Sequence, residues 1–280
     1  PFFVYVFLQS KFGRLQTNQI RTGLAQPNLS IPYIENLIEI PNKISPKFQK
    51  EIEDLVKMSF TRQRQIKEIY REAEQALLDR MQWEKVDTQH VLNYSASSKS
   101  IFENERFDPE FYQPKFEHLI KLIRRAGVKK LGEFCSLPNR GVQPVYVDQD
   151  NVIVLNSKHL GPTGIDIENS EKTSESFYTE ENVAKARLQQ YDVLMYSTGA
   201  YIGRTNAYLE NLRGIASNHV TIIRPDTKVC NPVYLALFLN SPTGLMQTDQ
   251  RASGSAQREI YPQDIIEYQV FIPQNKDGKP

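Results

Sequence analysis

The sequence predicts an α+β protein, in which a mixed, mostly antiparallel β domain with peripheral helices is attached to a long coiled-coil-type α-helix. Three observations support this prediction. Residues 46–81 contain no glycine, and their single proline is the first residue. Several short segments rich in Val, Ile and Tyr, bounded by Gly, Asn, Asp and Pro, follow between 145 and 225, as expected for strands. A stretch at the start of the chain also recurs near its end.

The recurring stretch joins residues 1–26 to residues 232–257. Eleven residues are identical without a gap at an offset of 231: Pro1, Phe7, Leu8, Ser10, Gly13, Gln16, Thr17, Gln19, Gly23, Ala25 and Gln26. After a one-residue shift, 33–41 matches 265–273 in pattern. The repeat predicts a duplicated unit of helix, turn, short helix, loop and strand, with most of the first copy missing. We therefore expect the chain, which begins with proline, to be a fragment.

Residues 43–90 are predicted to hold a long spacer helix. The apolar seam alternates steps of four and three residues, which is the spacing of a coiled coil. Its members are Ile52, Val56, Ser59, Gln63, Ile66, Tyr70, Ala73 and Leu77. Ser45 or Asn42 can cap the start, and the helix over 46–81 would be about 50 Å long. Polar Ser59 and Gln63 weaken the seam, so a long helix lying on its own domain is the alternative.

The remainder is predicted to comprise a linker over 91–106 and a domain over 107–280. Residues 108–127 predict a turn and a helix whose apolar face is Phe116, Leu119, Ile120 and Ile123, closed by Gly127. The predicted strands are 145–149, 151–156, 177–181, 191–197, 205–210 and 219–225. Asn211, Arg213 and Gly214 are interpreted as a hairpin turn. A helix capped by Asn231, a short helix ending at Gly254 and a strand at 267–273 complete the domain.

Composition restricts the function only weakly. A net charge of +1 and a pI of about 8.1 neither require nor exclude nucleic acid as a partner. Two cysteines without metal-ligand spacing favour a reducing cytoplasm. No apolar run approaches the length of a membrane span, and residues 2–8 are too short for a signal peptide.

Several stretches resemble one family. Residues 106–123 are similar to the beginning of a recognition domain, 191–209 followed by 216–225 to a central strand–loop–strand, and 254–273 to a closing segment. With the order of parts, these stretches resemble the specificity subunit of type I restriction–modification systems. On that resemblance, 1–42 is the C-terminal remnant of a first target-recognition domain and 107–280 is the second. Such subunits usually carry two recognition domains and two long helices, and no second long helix follows Pro273 here.

The resemblance implies a division of labour. The chain would read half of a bipartite double-stranded DNA target and direct adenine methylation or cleavage by partner subunits. The implied partners are modification (methyltransferase) subunits and a restriction (motor-nuclease) subunit. S-adenosylmethionine, ATP and Mg²⁺ would be bound by those partners, with no cofactor or metal on this chain and no membrane partner.

Candidate DNA contacts come from the chemistry of base reading, which needs side-chain donors and acceptors that reach base edges and cations for phosphates. The loop 197–206 and the segment 251–258 carry most of these groups, and Gly199 and Gly203 let backbone approach a ligand. The candidates are Ser197, Thr198, Tyr201, Arg204, Asn206, Asn218, His219, Arg251, Ser253, Ser255, Gln257 and Arg258. Each one taken singly also fits a solvated loop residue, whereas the set on two loops favours DNA contact. Arg258 and Gln257 are the types that read guanine and adenine.

We expect no catalytic residues. Asn231-Pro232-Val233-Tyr234 partly matches an adenine-methyltransferase motif, but a helix cap explains it and no glycine-rich cofactor loop accompanies it. The four histidines lack metal-ligand spacing. The main alternative is a non-DNA-binding coiled-coil interaction scaffold with a ligand-binding β domain, which the near-neutral charge slightly favours. A methyltransferase fragment fused to its recognition domain would need a cofactor-binding region upstream.

Overall fold

The computed structural model describes residues 1–23, 27–125, 127–136, 138–254 and 257–273. The chain forms two compact units, 1–69 and 70–280. This division falls within the long helix, and the predicted domain boundaries at 42, 90 and 106 stay a prediction. Within the described residues, no helix is both long and apolar enough to cross a membrane.

The first unit contains three short helices and the larger part of the long one. These are α1 (Phe2–Gln9), α2 (Lys11–Ile20), α3 (Ile31–Leu37) and the start of α4 (Pro46–Met81). Helix α1 packs on α4 through aromatic rings, with the Phe3 and Phe48 centroids 6.4 Å apart and those of Tyr5 and Phe60 6.0 Å apart. These aromatic contacts join α1 to α4 within the first unit.

Helix α4 confirms the predicted long helix, since its 36 residues are continuous. The Ser45 hydroxyl accepts a hydrogen bond from Phe48 N at 3.2 Å, so Ser45 provides the cap. The helix ends at Met81 because Gln82 adopts a left-handed backbone (φ 56°), so it is shorter than the 43–90 predicted for the spacer. Residues 57–69 are exposed, including the predicted seam residues Ser59, Gln63 and Ile66.

After the end of α4, the described residues of the second unit form six short helices and nine strands. The helices are α5 (Ser98–Asn104), α6 (Pro114–Arg125), α7 (Glu175–Thr179), α8 (Pro232–Asn240), α9 (Pro242–Arg251) and α10 (Pro262–Ile265). The strands are β1 (Val128–Lys130), β2 (Asn139–Arg140), β3 (Val152–Leu155), β4 (Glu171–Thr173), β5 (Val193–Tyr196), β6 (Thr205–Ala207), β7 (Gly214–Ala216), β8 (Val220–Ile223) and β9 (Gln269–Phe271). Helix α5 lies inside the predicted linker.

The strands form three small sheets, which confirms the mixed, mostly antiparallel α+β prediction. One sheet has the order β2-β8-β5-β6 and is antiparallel throughout. In the second, β3 pairs antiparallel with β4 and parallel with β7. The third joins β1 to β9 antiparallel. The first sheet positions the candidate site. Strands β5 and β8 are neighbours, so the loop after β5 and the turn before β8 lie side by side at the same end of the sheet.

The core of this unit brings the end of α4 together with the helices and strands that follow. Leu77 and Met81 of α4 are buried in one cluster with residues of α6, α8, β5 and β9. Phe116, Leu119 and Ile123 of α6 are buried as predicted, while Ile120 is partly buried. The last turns of the long helix are thus built into the unit that carries the β-sheets.

Three local predictions were wrong. Residues 177–181 were predicted as a strand, yet they begin in α7, which is nucleated when the Ser174 hydroxyl accepts from Phe177 N at 3.2 Å. Residues 145–149 form only an isolated bridge from Val147 to Lys172. Gly214 does not belong to a hairpin turn but starts buried strand β7, where a Cβ would lie 2.5 Å from Cγ1 of Ile153.

The repeat is confirmed at the level of single contacts. The Ser10 hydroxyl donates to Phe7 O at 2.6 Å, and Ser241 repeats this bond to Phe238 O at 2.6 Å. Gly13 follows the first serine and Gly244 follows the second at the same spacing, each pressed against the preceding helix. In both copies, the turn between the two short helices is therefore built by the same pair of serine and glycine residues.

A glutamine side chain completes each copy, partly buried at Gln16 and buried at Gln247. The Gln16 amide binds the backbone of Glu39 at 3.0 and 2.7 Å, and Gln247 binds the backbone of Gln269 at 3.0 and 2.7 Å. These pairs make Glu39 equivalent to Gln269, so the predicted alignment of 33–41 with 265–273, which pairs Glu39 with Phe271, was wrong in register. Residues 38–45 also form no strand in the first copy.

Replacing Gly244 with alanine tests the turn device. The new Cβ would lie 2.4 Å from Leu239 O and 2.5 Å from its Cα, so α8 and α9 must separate. We expect the free energy of unfolding to fall by about 1–3 kcal/mol, measured by urea denaturation. Gly164→Ala is the control, because its Cβ would meet nothing within 4 Å. Equal stability of the two variants would contradict this account of the turn.

Candidate nucleic-acid interface

Three separate segments meet at one end of the four-stranded sheet. Ser197 N donates to His219 O at 3.0 Å, which ties the β5–β6 loop to the turn before β8. Gly199 N donates to Arg258 O at 2.8 Å, and Glu259 bridges Thr198, which adds the segment after α9. We call residues 197–204, 217–219, 253–254 and 257–259 the loop face. The two loops singled out from the sequence are therefore neighbours in space.

Arg140 lies at the centre of the loop face, and sequence reasoning missed it. From strand β2 its Nε donates to Asn218 O at 2.9 Å. Its Nη2 binds the Thr198 hydroxyl and pairs with Oε1 of Glu259. One guanidinium thus contacts all three segments. Its only sequence signal is the following Gly141, where a Cβ would lie 2.2 Å from Ala216 O.

Glu259 supplies the negative charge opposite Arg140. Partial burial alone would raise the pKa of the Glu259 carboxyl, but hydrogen bonds from Tyr261 and Arg140 outweigh burial and lower the pKa. The Tyr261 hydroxyl donates to Oε2 of Glu259 at 2.9 Å, and this bond raises the pKa of Tyr261. Glu259 is therefore ionised at neutral pH, and it offsets the charge of Arg140 on the loop face.

Arg204 and Tyr201 form a stacked pair on the β5–β6 loop. The Arg204 guanidinium lies 4.2 Å from the centre of the Tyr201 ring, and its Nη1 donates to Leu160 O at 3.3 Å. Gly203 lets the loop fold back, with φ at +88° and a Cβ position only 2.8 Å from the Thr248 hydroxyl. The Tyr201 side chain is 61% exposed. A cation held on an exposed ring suits contact with a flat or anionic ligand.

Arg258 is held by an acidic partner and is still accessible. Its Nη1 pairs with Oδ1 of Asp249 at 2.7 Å and its Nη2 donates to Asp249 O at 3.0 Å. The side chain keeps 39% exposure. His219 and Gln257 are exposed, and Asn218 and Ser253 are partly buried. These residues remain candidates for ligand contact on geometric grounds.

The side chains of three other candidates form hydrogen bonds inside the domain. Ser197 is fully buried, and its hydroxyl donates to His219 O at 3.1 Å. Thr198 is buried against Arg140. Asn206 is buried on β6, where its amide donates to Gly161 O at 2.9 Å. Each of these three candidate DNA-contact side chains therefore already satisfies a hydrogen bond inside the domain, and their contact with DNA stays a prediction.

One candidate lies away from the loop face, and another lies outside the described residues. Arg251 lies at the end of α9, where its Nε is buried without a hydrogen-bond partner and its side chain lines a separate cleft of about 490 Å³. Burial lowers the pKa of Arg251. Ser255 lies outside the described residues. Among the described residues, no group of three His, Cys, Asp or Glu side chains is placed to hold a metal ion.

No family model and no curated protein matches the sequence. The chain resembles solved structures from type I restriction–modification systems, and it spans about 60% of their length. One, from a study of assembly and conformational transition of such a system, has 17% identity and a TM-score of 0.42, with 99% of this chain and 60% of the solved chain covered.

Two of the similar structures are single subunits. The HsdS subunit from Thermoanaerobacter tengcongensis has 17% identity and a TM-score of 0.39, over 98% of this chain and 58% of the other. The S subunit of a type I system from M. genitalium has 12% identity and a TM-score of 0.34, over 95% and 63%. At these values the likeness does not assign a function by itself.

Proposed function

We propose that this chain is a specificity subunit of a type I restriction–modification complex and that its loop face reads part of a duplex DNA target. The convergence of three segments on Arg140 is the observation that carries the proposal. It gathers three arginines, a histidine and two amide side chains from distant parts of the sequence on one accessible face. Base reading needs this mixture of cations and hydrogen-bonding groups.

The residues of the loop face divide by chemistry. The Arg258 side chain can form two parallel hydrogen bonds with a guanine edge, and the Gln257 side chain can do so with an adenine edge. Arg204 would also reach a base edge, because stacking on Tyr201 fixes the position of its guanidinium. Arg140 would hold the segments in register and face a phosphate, with Glu259 limiting indiscriminate binding to any duplex. We extend this reading to one half of a bipartite target, as in the family that the sequence resembles.

Helix α4 would serve as the spacer and as a docking surface for partner subunits. Leu55, Met58, Ile66 and Ile69 are exposed large apolar side chains on this helix. Exposed apolar residues at helical spacing suit contact with another helix. In this proposal, modification subunits bring S-adenosylmethionine, the restriction subunit brings ATP and Mg²⁺, and the chain itself is not an enzyme.

The second candidate function is an interaction scaffold without DNA. The same exposed apolar residues of α4 favour it, since they predict a protein partner whatever the β domain binds. The two functions differ in their response to salt. DNA affinity falls steeply with salt because phosphate contacts release counterions, whereas an apolar contact does not weaken in this way.

Arg204→Ala tests the proposal directly. A preferred duplex is first selected from a random pool with the unmodified chain, and the dissociation constant is measured by fluorescence anisotropy. We expect Arg204→Ala to weaken binding by about 1–3 kcal/mol, roughly 5- to 150-fold. Arg213→Ala is the control, because Arg213 pairs with exposed Glu175 away from the loop face. Failure to enrich any sequence, or equal affinities of the two variants for the selected duplex, would refute the proposed function.

A further inference from the structure

The side-chain amide of Asn240 forms two hydrogen bonds with the backbone of Thr205, the first residue of strand β6. Its Oδ1 accepts from Thr205 N at 2.8 Å, and its Nδ2 donates to Thr205 O at 2.6 Å. Strand β6 is at the edge of the four-stranded sheet, so these backbone groups have no neighbouring strand there. Asn240, the last residue of α8, takes the place of that strand at the point where the β5–β6 loop ends.

The same amide also reaches the long helix. Asn240 Nδ2 donates to the Tyr70 hydroxyl at 3.0 Å. Tyr70 lies in the part of α4 that belongs to the second unit, and burial raises the pKa of its hydroxyl. A chain of two side chains therefore runs from α4 to the residue that follows Arg204. One end is on the proposed spacer and the other is on the proposed reading loop.

Packing does not fix the loop on the side that faces α4. A cleft of about 340 Å³ lies between them, lined by Tyr70, Pro162, Asn240, Leu245 and the loop residues Ala200, Tyr201, Ile202 and Arg204. Close packing would otherwise hold a loop in one position. Hydrogen bonds through Asn240 restrain the loop on this side, while Gly203 packs against Thr248 of α9 elsewhere in the loop.

The hydrogen bonds of Asn240 are not among the contacts that both copies of the repeat share. Serine, glycine and glutamine recur at Ser241, Gly244 and Gln247 with the same contacts as in the first copy. At the Asn240 position the first copy has Gln9, which is exposed. Asn240 is therefore not required to build the helix pair, and its bonds serve the strand and helix that it touches.

We propose that Tyr70 and Asn240 are positioning residues that set the β5–β6 loop against helix α4, so that the preference for the target sequence depends on the bond between them. This inference rests on the proposed function, because it concerns how the reading loop is oriented. A loop that can shift keeps its charge near the phosphates but loses the geometry that base contacts need. Specific binding should then weaken while non-specific binding does not.

The test compares two variants that each remove one tyrosine hydroxyl. Tyr70→Phe removes the link between α4 and Asn240. Tyr234→Phe is the matched control, because the Tyr234 hydroxyl donates to Phe271 O at 2.6 Å inside the core and touches no part of the loop face. For each, the dissociation constants for the selected duplex and for a scrambled duplex, the salt dependence and the melting temperature are measured on the whole chain.

For Tyr70→Phe we expect the ratio of specific to non-specific affinity to fall about 3- to 10-fold, with the scrambled-duplex affinity and the salt slope unchanged. For Tyr234→Phe we expect a lower melting temperature and an unchanged ratio. A ratio within twofold of the unmodified chain in Tyr70→Phe overturns the inference. So does a ratio that falls only in step with melting temperature, as a purely structural role would produce.

Asn240→Ala, alone and combined with Tyr70→Phe, tests whether the two residues act through the same hydrogen bond. Asn240→Ala should lower the ratio, and adding Tyr70→Phe to it should cause no further fall, because both act through one bond. Additive losses would contradict a shared bond. If the unmodified chain shows no preference for any duplex, the proposed function fails together with this inference. A preference that Tyr70→Phe retains in full refutes the inference alone.

Discussion

Replacing Arg224 with methionine is expected to destabilise the chain by about 3–5 kcal/mol. The Asp192 side chain is fully buried. Arg224 binds it twice, from Nε to Oδ1 at 2.6 Å and from Nη2 to Oδ2 at 2.8 Å. Without the guanidinium, a carboxylate remains in the core with a hydrogen bond from Gln189 N as its remaining support. A buried charge without its partner is among the costliest defects in a folded protein.

The consequence extends to the candidate site. Asp192 precedes β5 and Arg224 follows β8, so their pair closes the end of the two central strands opposite the loop face. Urea denaturation measures the loss of stability. Arg213→Met is the control, because Arg213 and Glu175 form an exposed ion pair whose loss should cost less than about 1 kcal/mol. Similar losses for the two variants would show that the Asp192 pair does not have the role assigned to it.

Arg140 and Glu259 should give opposite results in DNA binding. Arg140→Ala is expected to weaken binding to the selected duplex by about 2–4 kcal/mol, roughly 30- to 1,000-fold. The variant removes the cation that contacts all three segments, and it leaves the negative charge of Glu259 uncompensated on the face that meets phosphates. Fluorescence anisotropy at fixed salt measures the change.

Glu259→Gln keeps the shape of the side chain and removes its charge. Arg140 is then free to contact a phosphate, so affinity for a scrambled duplex should rise several-fold. The slope of log affinity against log salt should steepen by about 0.9 for one added phosphate contact. Circular dichroism shows whether both variants remain folded. A loss of affinity in both, with folding intact, would mean that the pair holds the loops together and does not meet DNA.

Local signals in the sequence were sufficient for helices α4, α6 and α8. The run without glycine over 46–81 gave α4, and Asn231 caps α8 as predicted, with its side chain accepting from Val233 N at 2.8 Å. The apolar spacing of α6 identified its buried face. Each of these features depends on residues within a few positions of one another, which is the range over which helix propensity and capping act.

The errors arose where distant residues decide the structure. Phe177 and Tyr178 have high strand propensity, yet the Ser174 cap and the following chain make α7. Strand β7 exists because it lies parallel to β3, some 60 residues earlier, which no local pattern around Gly214 indicates. Non-local pairing of this kind is invisible to periodicity.

The candidate site shows the same division. The two loops were identified from their glycines and polar side chains, and the fold does bring them together. Ser197 and Asn206 show what the sequence does not reveal, because polar side chains in a loop can bind backbone groups inside the domain as readily as they can face solvent. Arg140 was missed because it is far in sequence from both loops and reaches them only through the pairing of β2 with β8.

Amide hydrogen exchange with and without the selected duplex tests the central claim that the loop face binds DNA. The account predicts slower exchange on DNA binding at 198–204, 218–219 and 257–259, and unchanged exchange in α7 and β4. Exchange that slows only along α4, or nowhere in the second unit, would contradict it.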